Sequence, residues 1–134
     1  MSTQAVKATL LAKLDAALTR WYKGDPYGYA ELFAADISYF DPFTNERLTS
    51  GEELRRHYAL LEGKAHFPRF EIVSPHLHSD NGSAILTYFL KQFTADGQSP
   101  PTWKTTEVYR DAGAGDWKIV HAHWSTCSEG TDIN

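Results

Sequence analysis

Two acidic residues, Asp41 and Glu107, stand where a carboxyl group could do chemistry. Asp41 is followed by Pro42 at the predicted end of a strand, and Glu107 lies within a predicted strand. A carboxyl group in an apolar pocket is desolvated, so its pKa rises and it can exchange a proton near neutral pH. We therefore name both as candidate catalytic residues. The alternative is that Asp41 caps the turn before Pro42 and Glu107 pairs with Lys104 or Arg110.

Large side chains share the predicted strand faces with Glu107. Because successive residues of a strand point to opposite faces, every second residue lies on the same side of the sheet. The predicted ligand-binding residues are Trp21, Tyr39, Trp103, Thr105, Tyr109, Val120, Ala122 and Trp124. Together they would form an aromatic wall for a small apolar or aromatic organic ligand. The alternative is that these rings fill the interior, since protein cores pack as densely as organic crystals.

Histidines occur in two pairs with one residue between the partners, His76 with His78 and His121 with His123. Four imidazoles on one surface would suit zinc or copper. Alternation with Trp124 directs the second pair away from the pocket, to the other face of the sheet. Packing and hydrogen bonding on that face account for the histidines, and we predict no metal site.

Composition disfavours several classes of protein. The chain has 134 residues and a net charge of −4 with scattered basic residues, which disfavours a nucleic-acid partner. No apolar run approaches the ~20 residues of a membrane span. The one cysteine, Cys127, permits no internal disulfide and has no activating partner, which suits a cytoplasmic protein. Gly113 and Gly115 lie in a predicted hairpin and do not open a helix, so no phosphate-binding loop or cofactor is predicted.

The first half of the chain is predicted to be mainly helical. Apolar residues three and four apart predict a first helix that ends before Gly24. They are Val6, Leu10, Leu14, Leu18 and Trp21. Asp25 followed by Pro26 is typical of the start of a second, shorter helix. The side chains that this helix is predicted to bury are Tyr29, Leu32 and Phe33.

A strand at 36–41 and a third helix complete the first half. Ser50 and Glu53 form a capping box, and Gly63 ends the predicted helix. Its shared face carries Leu54, Tyr58 and Leu61. Four strands are then predicted, at 67–78, 83–94, 103–110 and 117–125.

Helices followed by a meander of strands predict an α+β fold. Three N-terminal helices would pack on a strongly curved antiparallel sheet and enclose a cone-shaped pocket. Residues 1–126 form one predicted domain, and 127–134 are predicted to be a disordered tail.

Several short motifs resemble the nuclear-transport-factor-two-like superfamily. They are LFAAD at 32–36, FDP at 40–42, SG at 50–51 and RRHY at 55–58. The ending, EVYR at 107–110 and WKIVHAHWS at 117–125, looks most like the SnoaL-like branch and the association domain of calcium/calmodulin-dependent kinase. This resemblance covers nearly the whole chain. Relatives of this fold commonly dimerise through the convex face of the sheet, so the resemblance implies a homodimer.

The resemblance to ketosteroid isomerase implies roles for individual residues. Asp41 before Pro42 matches the general base of that family, and Glu107 matches the acid on the penultimate strand. Tyr58 matches the third-helix tyrosine that supports the oxyanion network. The principal oxyanion tyrosine falls on Ala17, so steroid isomerisation is not carried over.

Two functions remain open from the sequence. One is a SnoaL-like enzyme, a cofactor-independent isomerase, dehydratase or cyclase, with Asp41 as base and Glu107 and Tyr58 as acid or donor. The other is a non-catalytic domain that binds a ligand or assembles subunits through the face of His121 and His123.

Overall fold

The computed structural model describes residues 2–64, 66–98 and 100–127. Its helices are α1 (Thr3–Trp21), α2 (Tyr27–Ala30) and α3 (Gly51–Ala59). Its strands are β1 (Phe33–Phe40), β2 (Arg69–Asp80), β3 (Ser83–Phe93), β4 (Trp103–Asp111) and β5 (Trp117–Thr126). The predicted α+β architecture, with helices at the N-terminus and a curved sheet after them, is confirmed.

Helix α1 follows from its cap and its apolar stripe. The Ser2 hydroxyl accepts a hydrogen bond from the Ala5 N–H at 3.1 Å, which satisfies one of the free donors at the helix start. Val6, Leu10, Leu14 and Leu18 are all buried. The helix ends just before Gly24, whose φ of +93° suits glycine.

The second helix is shorter than predicted. It ends at Ala30, and β1 already begins at Phe33. Tyr29 is buried as predicted, but Leu32 and Phe33 lie outside the helix. The reason is a long-range hydrogen bond, since the Leu32 carbonyl accepts from the Ile119 N–H at 2.7 Å and joins this segment to β5. Sheet pairing thus uses the backbone hydrogen-bonding groups that a longer helix α2 would have needed.

Helix α3 begins as its capping box predicts. The Ser50 hydroxyl accepts from the Glu53 N–H at 3.1 Å, and the Glu53 carboxylate accepts from the Thr49 N–H at 2.8 Å. The helix ends at Ala59 rather than at Gly63, and tight turns carry the chain on from there. The N-terminus of α3 therefore fixes the position of this element after β1.

The five strands form one sheet in the order β1-β5-β4-β3-β2. The pairs β2–β3, β3–β4 and β4–β5 are antiparallel, as predicted. Strand β1 pairs with β5 in parallel, so the sheet is mostly rather than wholly antiparallel. Because α3 lies between β1 and β2 in the chain, it carries the chain from one edge of the sheet to the other.

A bulge in β5 corrects the predicted face of that strand. Val108 pairs with His121 and Tyr109 pairs with Ile119, so Val120 is an extra residue in β5. Ala122 and Ile119 are both fully buried, whereas Val120 is partly exposed. Strict alternation placed Val120 with Ala122, and the bulge breaks that pattern.

The core lies between the helices and the concave face of the sheet. Tyr29, Tyr58 and Tyr109 are among the largest fully buried side chains. Cys127 is buried, and its N–H donates to the Thr102 carbonyl at 2.8 Å. The rest of the predicted tail, 128–134, lies outside the described residues. Within the described part of the chain, no helix has the length and apolar character needed to cross a membrane.

Candidate functional site

A cavity of about 250 Å³ opens between the helices and the sheet. Most of its lining is aromatic or aliphatic. The lining residues are Leu18, Trp21, Tyr22, Tyr29, Tyr39, Asp41, Phe43, Tyr58, Leu61, Lys64, Phe67, Leu90, Gln92, Trp103 and Trp124. Asp41 is the one carboxylate among these described lining residues.

The Asp41 side chain is held by three hydrogen bonds. Oδ1 accepts from the Phe43 N–H at 2.8 Å, which is the turn-capping contact that Pro42 leads into. Oδ2 lies 2.9 Å from the Tyr39 hydroxyl and 2.9 Å from His57 Nε2. Although the carboxyl is only 4% exposed, it faces the cavity. Asp41 is therefore fixed by its neighbours while remaining in reach of a bound molecule.

His57 was not singled out from the sequence. It lies on α3, next to Tyr58, and its side chain is 18% exposed. A signal was present, because His57 follows the buried Leu54 by three residues and so belongs beside the inward face of the helix. Its Nε2 atom joins α3 to the end of β1 through Asp41.

Tyr58 and Tyr39 continue the network away from Asp41. The Tyr58 hydroxyl donates to the Tyr39 hydroxyl at 2.9 Å, and Tyr39 donates in turn to Asp41. Burial raises the pKa of both tyrosines well above the usual range. Both therefore remain protonated donors at physiological pH.

Glu107 lies apart from the cavity. It is fully buried and accepts hydrogen bonds from three hydroxyls: Tyr29 at 2.5 Å, Tyr88 at 2.8 Å and Tyr109 at 2.8 Å. Among the described residues it forms no ion pair with Lys104 or any other cation, and Arg110 binds Asp36 instead. Burial raises the pKa of the Glu107 carboxyl, and the three tyrosine hydrogen bonds partly oppose that rise.

Tyr29 connects Glu107 with the cavity. Its ring is one wall of the cavity, and its hydroxyl donates to Glu107 while accepting from Trp124 Nε1 at 3.3 Å. The sequence indicated that Tyr29 is buried but carried no sign of this role. Tyr29 lies on α2 and its two partners lie on β4 and β5, which no local pattern relates.

The predicted ligand-binding residues divide into two groups. Trp21, Tyr39, Trp103 and Trp124 line the cavity, as does the predicted catalytic residue Tyr58. Thr105, Tyr109, Val120 and Ala122 are not among its described lining residues. Tyr109 turns to Glu107, Thr105 and Ala122 are buried in the sheet, and Val120 occupies the bulge.

The outer face of the sheet carries the histidines. His121 Nδ1 lies 2.7 Å from the Ser38 hydroxyl, and the Phe40 ring contacts both His121 and His123. Burial and the nearby His123 lower the pKa of His121. His76 and His78 have ring centroids 4.6 Å apart. Within the described ranges, no group of three or more His, Cys, Asp or Glu side chains is arranged to hold a metal ion.

Comparison with known sequences and structures gives one family. A sequence profile of the SnoaL-like domain matches residues 10–129. No protein of curated function matches the sequence significantly.

Three solved structures illustrate the likeness. A candidate ketosteroid isomerase from Parabacteroides distasonis is 28% identical with a TM-score of 0.78, over 90% of this chain and 86% of that one. An NTF2-like superfamily protein from Salmonella enterica is 21% identical with a TM-score of 0.70, over 97% and 96%. The association domain of CaMKII from C. elegans is 19% identical with a TM-score of 0.71, over 92% and 98%. These matches confirm the resemblance that the sequence motifs indicated.

Proposed function

Because the chain belongs to the family of SnoaL-like domains, we propose that it binds a small apolar or aromatic molecule and catalyses cofactor-independent proton transfer. Asp41 is the base. The observation that supports this most directly is that its carboxyl lines an aromatic cavity while His57 and Tyr39 hold its second oxygen. A pocket of this kind, mostly apolar with a few fixed polar groups, is typical of small-molecule sites.

The chemistry follows from the lone pairs that remain on Asp41. A carboxylate has about four acceptor positions, and Phe43 N–H, Tyr39 and His57 occupy three. The fourth, on Oδ1, can accept a proton from a C–H bond next to a carbonyl group. The electron pair of that bond moves to the carbonyl oxygen, and an enolate forms. Return of the proton to another carbon gives isomerisation, and loss of a neighbouring hydroxide gives dehydration.

The developing negative charge on the ligand oxygen needs a donor. In our proposal the Tyr29 hydroxyl supplies it by turning its hydrogen from Glu107 to the ligand oxygen, while Glu107 in its protonated form donates to the Tyr29 oxygen instead. Tyr29 thus takes the place of the oxyanion tyrosine of ketosteroid isomerase, whose position in this sequence is Ala17. Glu107 is then a positioning residue, because it reaches the cavity only through Tyr29. Tyr58 likewise acts through Tyr39, whose hydroxyl orders the Asp41 carboxylate. Preorganised donors of this kind stabilise a transition state more than a flexible solvent does.

Hydrogen–deuterium exchange tests this proposal without knowledge of the natural substrate. The probe is β-tetralone, an aromatic ketone with acidic C–H bonds, and NMR in D₂O measures its exchange rate. Asp41→Asn is expected to slow protein-catalysed exchange about 100-fold. Asp36→Asn is the matched control, because Asp36 lies on the same strand but pairs with Arg110 at the surface. Exchange at the buffer rate with the unmodified protein, or undiminished exchange with Asp41→Asn, would contradict the proposal.

We also propose that the outer face of the sheet forms a homodimer interface, as the non-catalytic hypothesis requires. Ile85 supports this, because it is 41% exposed on that face, near the start of β3, and pairs across strands with the half-buried Val108. Ile85→Asp is expected to give a monomer in analytical ultracentrifugation. Leu60→Asp is the control, since Leu60 is 70% exposed but follows α3, away from this face. A monomeric unmodified protein at micromolar concentration would rule out the dimer.

A further inference from the structure

The mouth of the cavity differs in chemistry from its interior. Phe43 and Lys64 are the two exposed side chains among the fifteen that line the cavity, so they mark its opening. Phe43 is 69% exposed, and its ring lies 5.9 Å from that of Trp103, edge to face. The interior behind them is aromatic and aliphatic. A molecule that enters therefore meets one cation and one ring before it reaches the apolar walls.

Lys64 has no anionic partner in the part of the chain that the structure describes. Among the described residues 2–64, 66–98 and 100–127, no carboxylate lies within salt-bridge distance of its Nζ atom. Its close neighbour in sequence, Glu62, accepts from the Tyr27 hydroxyl at 3.2 Å instead. With respect to these described residues, Lys64 is thus an unpaired positive charge at the entrance of a mostly apolar cavity.

Lys64 is the one cation among these described lining residues, and the two lining side chains that carry an amide or a carboxylate, Gln92 and Asp41, already accept hydrogen bonds. Gln92 accepts from the Tyr22 hydroxyl at 2.7 Å, and Asp41 holds three hydrogen bonds. Lys64 is consequently the lining group best able to recognise a charged part of a ligand, and its charge selects an anion. Ligand sites are commonly built in this way, with apolar walls for affinity and a few polar groups for orientation.

From this contrast between a cationic mouth and a mostly apolar interior, we infer that the ligand is an organic monocarboxylate. Its ring or aliphatic body enters the cavity, while its carboxylate stays at the mouth on Lys64. The inference deepens the proposed function, since it concerns the same cavity. It also separates the two negative charges of the complex. The Asp41 carboxylate lies inside at 4% exposure, whereas the ligand carboxylate remains solvated at the entrance beside Lys64.

Isothermal titration calorimetry with a matched pair of probes tests the inference. β-Naphthoate is ionised at about pH 7, whereas β-naphthamide has the same ring and nearly the same shape without the charge. The unmodified protein is expected to bind the acid about fivefold more tightly than the amide, the effect of one solvent-exposed ion pair. This preference should shrink as salt is added, because exposed charges are screened.

Lys64→Met removes the charge but keeps most of the aliphatic stem. It should abolish the preference for the acid and leave amide binding unchanged. Lys23→Met is the matched control, because Lys23 is also exposed but lies outside the described cavity lining. Equal binding of the two probes by the unmodified protein, binding of neither, or a preference that survives in Lys64→Met would each overturn the inference.

Asp41→Asn separates this inference from the proposed function. The variant should keep, or slightly increase, its preference for the acid, because Asn removes a like charge from the cavity. If the exchange test fails but the acid preference depends on Lys64, the protein binds carboxylates without proton transfer. If exchange depends on Asp41 but the acid is not preferred, the ligand class named here is wrong.

Discussion

Asp41 and Glu107 carry the same functional group in two different settings. Asp41 directly follows β1, beside the cavity, and its partners are a backbone N–H, a tyrosine and a histidine. Glu107 lies in the middle of β4 with no exposed surface, and three tyrosines surround it. Burial raises the pKa of Glu107, but the group that can meet a ligand is Asp41. Desolvation alone therefore does not identify a catalytic carboxyl, because access to the reacting molecule is also required.

The largest expected difference between the two carboxyls is in stability. Glu107→Ala would leave three buried hydroxyls without their acceptor, and each unsatisfied group costs roughly 1–3 kcal/mol. We expect the free energy of unfolding to fall by about 4 kcal/mol, against about 1 kcal/mol for Asp41→Ala. Urea denaturation measures both. A cost for Glu107→Ala no greater than that for Asp41→Ala would show that the tyrosines find other partners.

A second difference between the two carboxyls is that Asp41 has a histidine partner, His57, which can stabilise its negative charge. His57→Phe would remove the hydrogen bond at Oδ2, and we expect β-tetralone exchange to slow about tenfold, or about 1.4 kcal/mol in activation free energy. His57→Gln should restore part of the rate, because its amide N–H can donate to Asp41. A purely structural histidine would instead lower stability in both variants and leave the exchange rate per folded molecule unchanged.

The third difference is that Glu107 should make the free energy of unfolding depend gradually on pH. The pKa of Glu107 is raised in the folded protein above its ordinary value of 4.5, so the folded state holds this proton more tightly than the unfolded state does. Its contribution is complete below 4.5 and is lost as the pH rises through the folded pKa. The difference in unfolding free energy between the unmodified protein and Glu107→Gln should therefore decrease with rising pH.

Urea denaturation at several pH values between about 4 and 8 measures this difference. Subtracting the two curves removes the contributions of the other titrating groups. A difference that grows with pH would mean that the three tyrosine hydrogen bonds outweigh desolvation and that Glu107 is preferentially ionised.

Local patterns predicted most of the fold. Ser50 and Glu53 fixed the start of α3, and Gly24, whose φ is +93°, follows the end of α1 as predicted. These features depend on neighbours in sequence. The end of α2 and the parallel pairing of β1 depend instead on β5, which lies more than eighty residues further along the chain.

As with the fold, the parts of the candidate site that depend on local sequence patterns were predictable, and the parts that depend on long-range contacts were not. Asp41 was named from its local setting, a strand end before proline, whereas Tyr58 was placed on the buried face of its helix by periodicity and given a role by the resemblance to ketosteroid isomerase. The placement of Glu107 behind Tyr29 was not predictable, because residues from α2, β3 and β4 must meet to form its surroundings. His57 could have been found from helical periodicity alone.

The extra residue at Val120 sets the parity of β5. On the C-terminal side of it, Ala122 and Trp124 point inward, and on the N-terminal side Trp117 and Ile119 do. Even-numbered and odd-numbered positions thus exchange sides at one point. Deleting Val120 would remove the bulge and leave one strict alternation along β5, in which Ile119 and Ala122 still face inward while Lys118 and His121 still face outward. The single strand β5 therefore supplies the cavity wall from even-numbered positions and the core at its other end from odd-numbered positions.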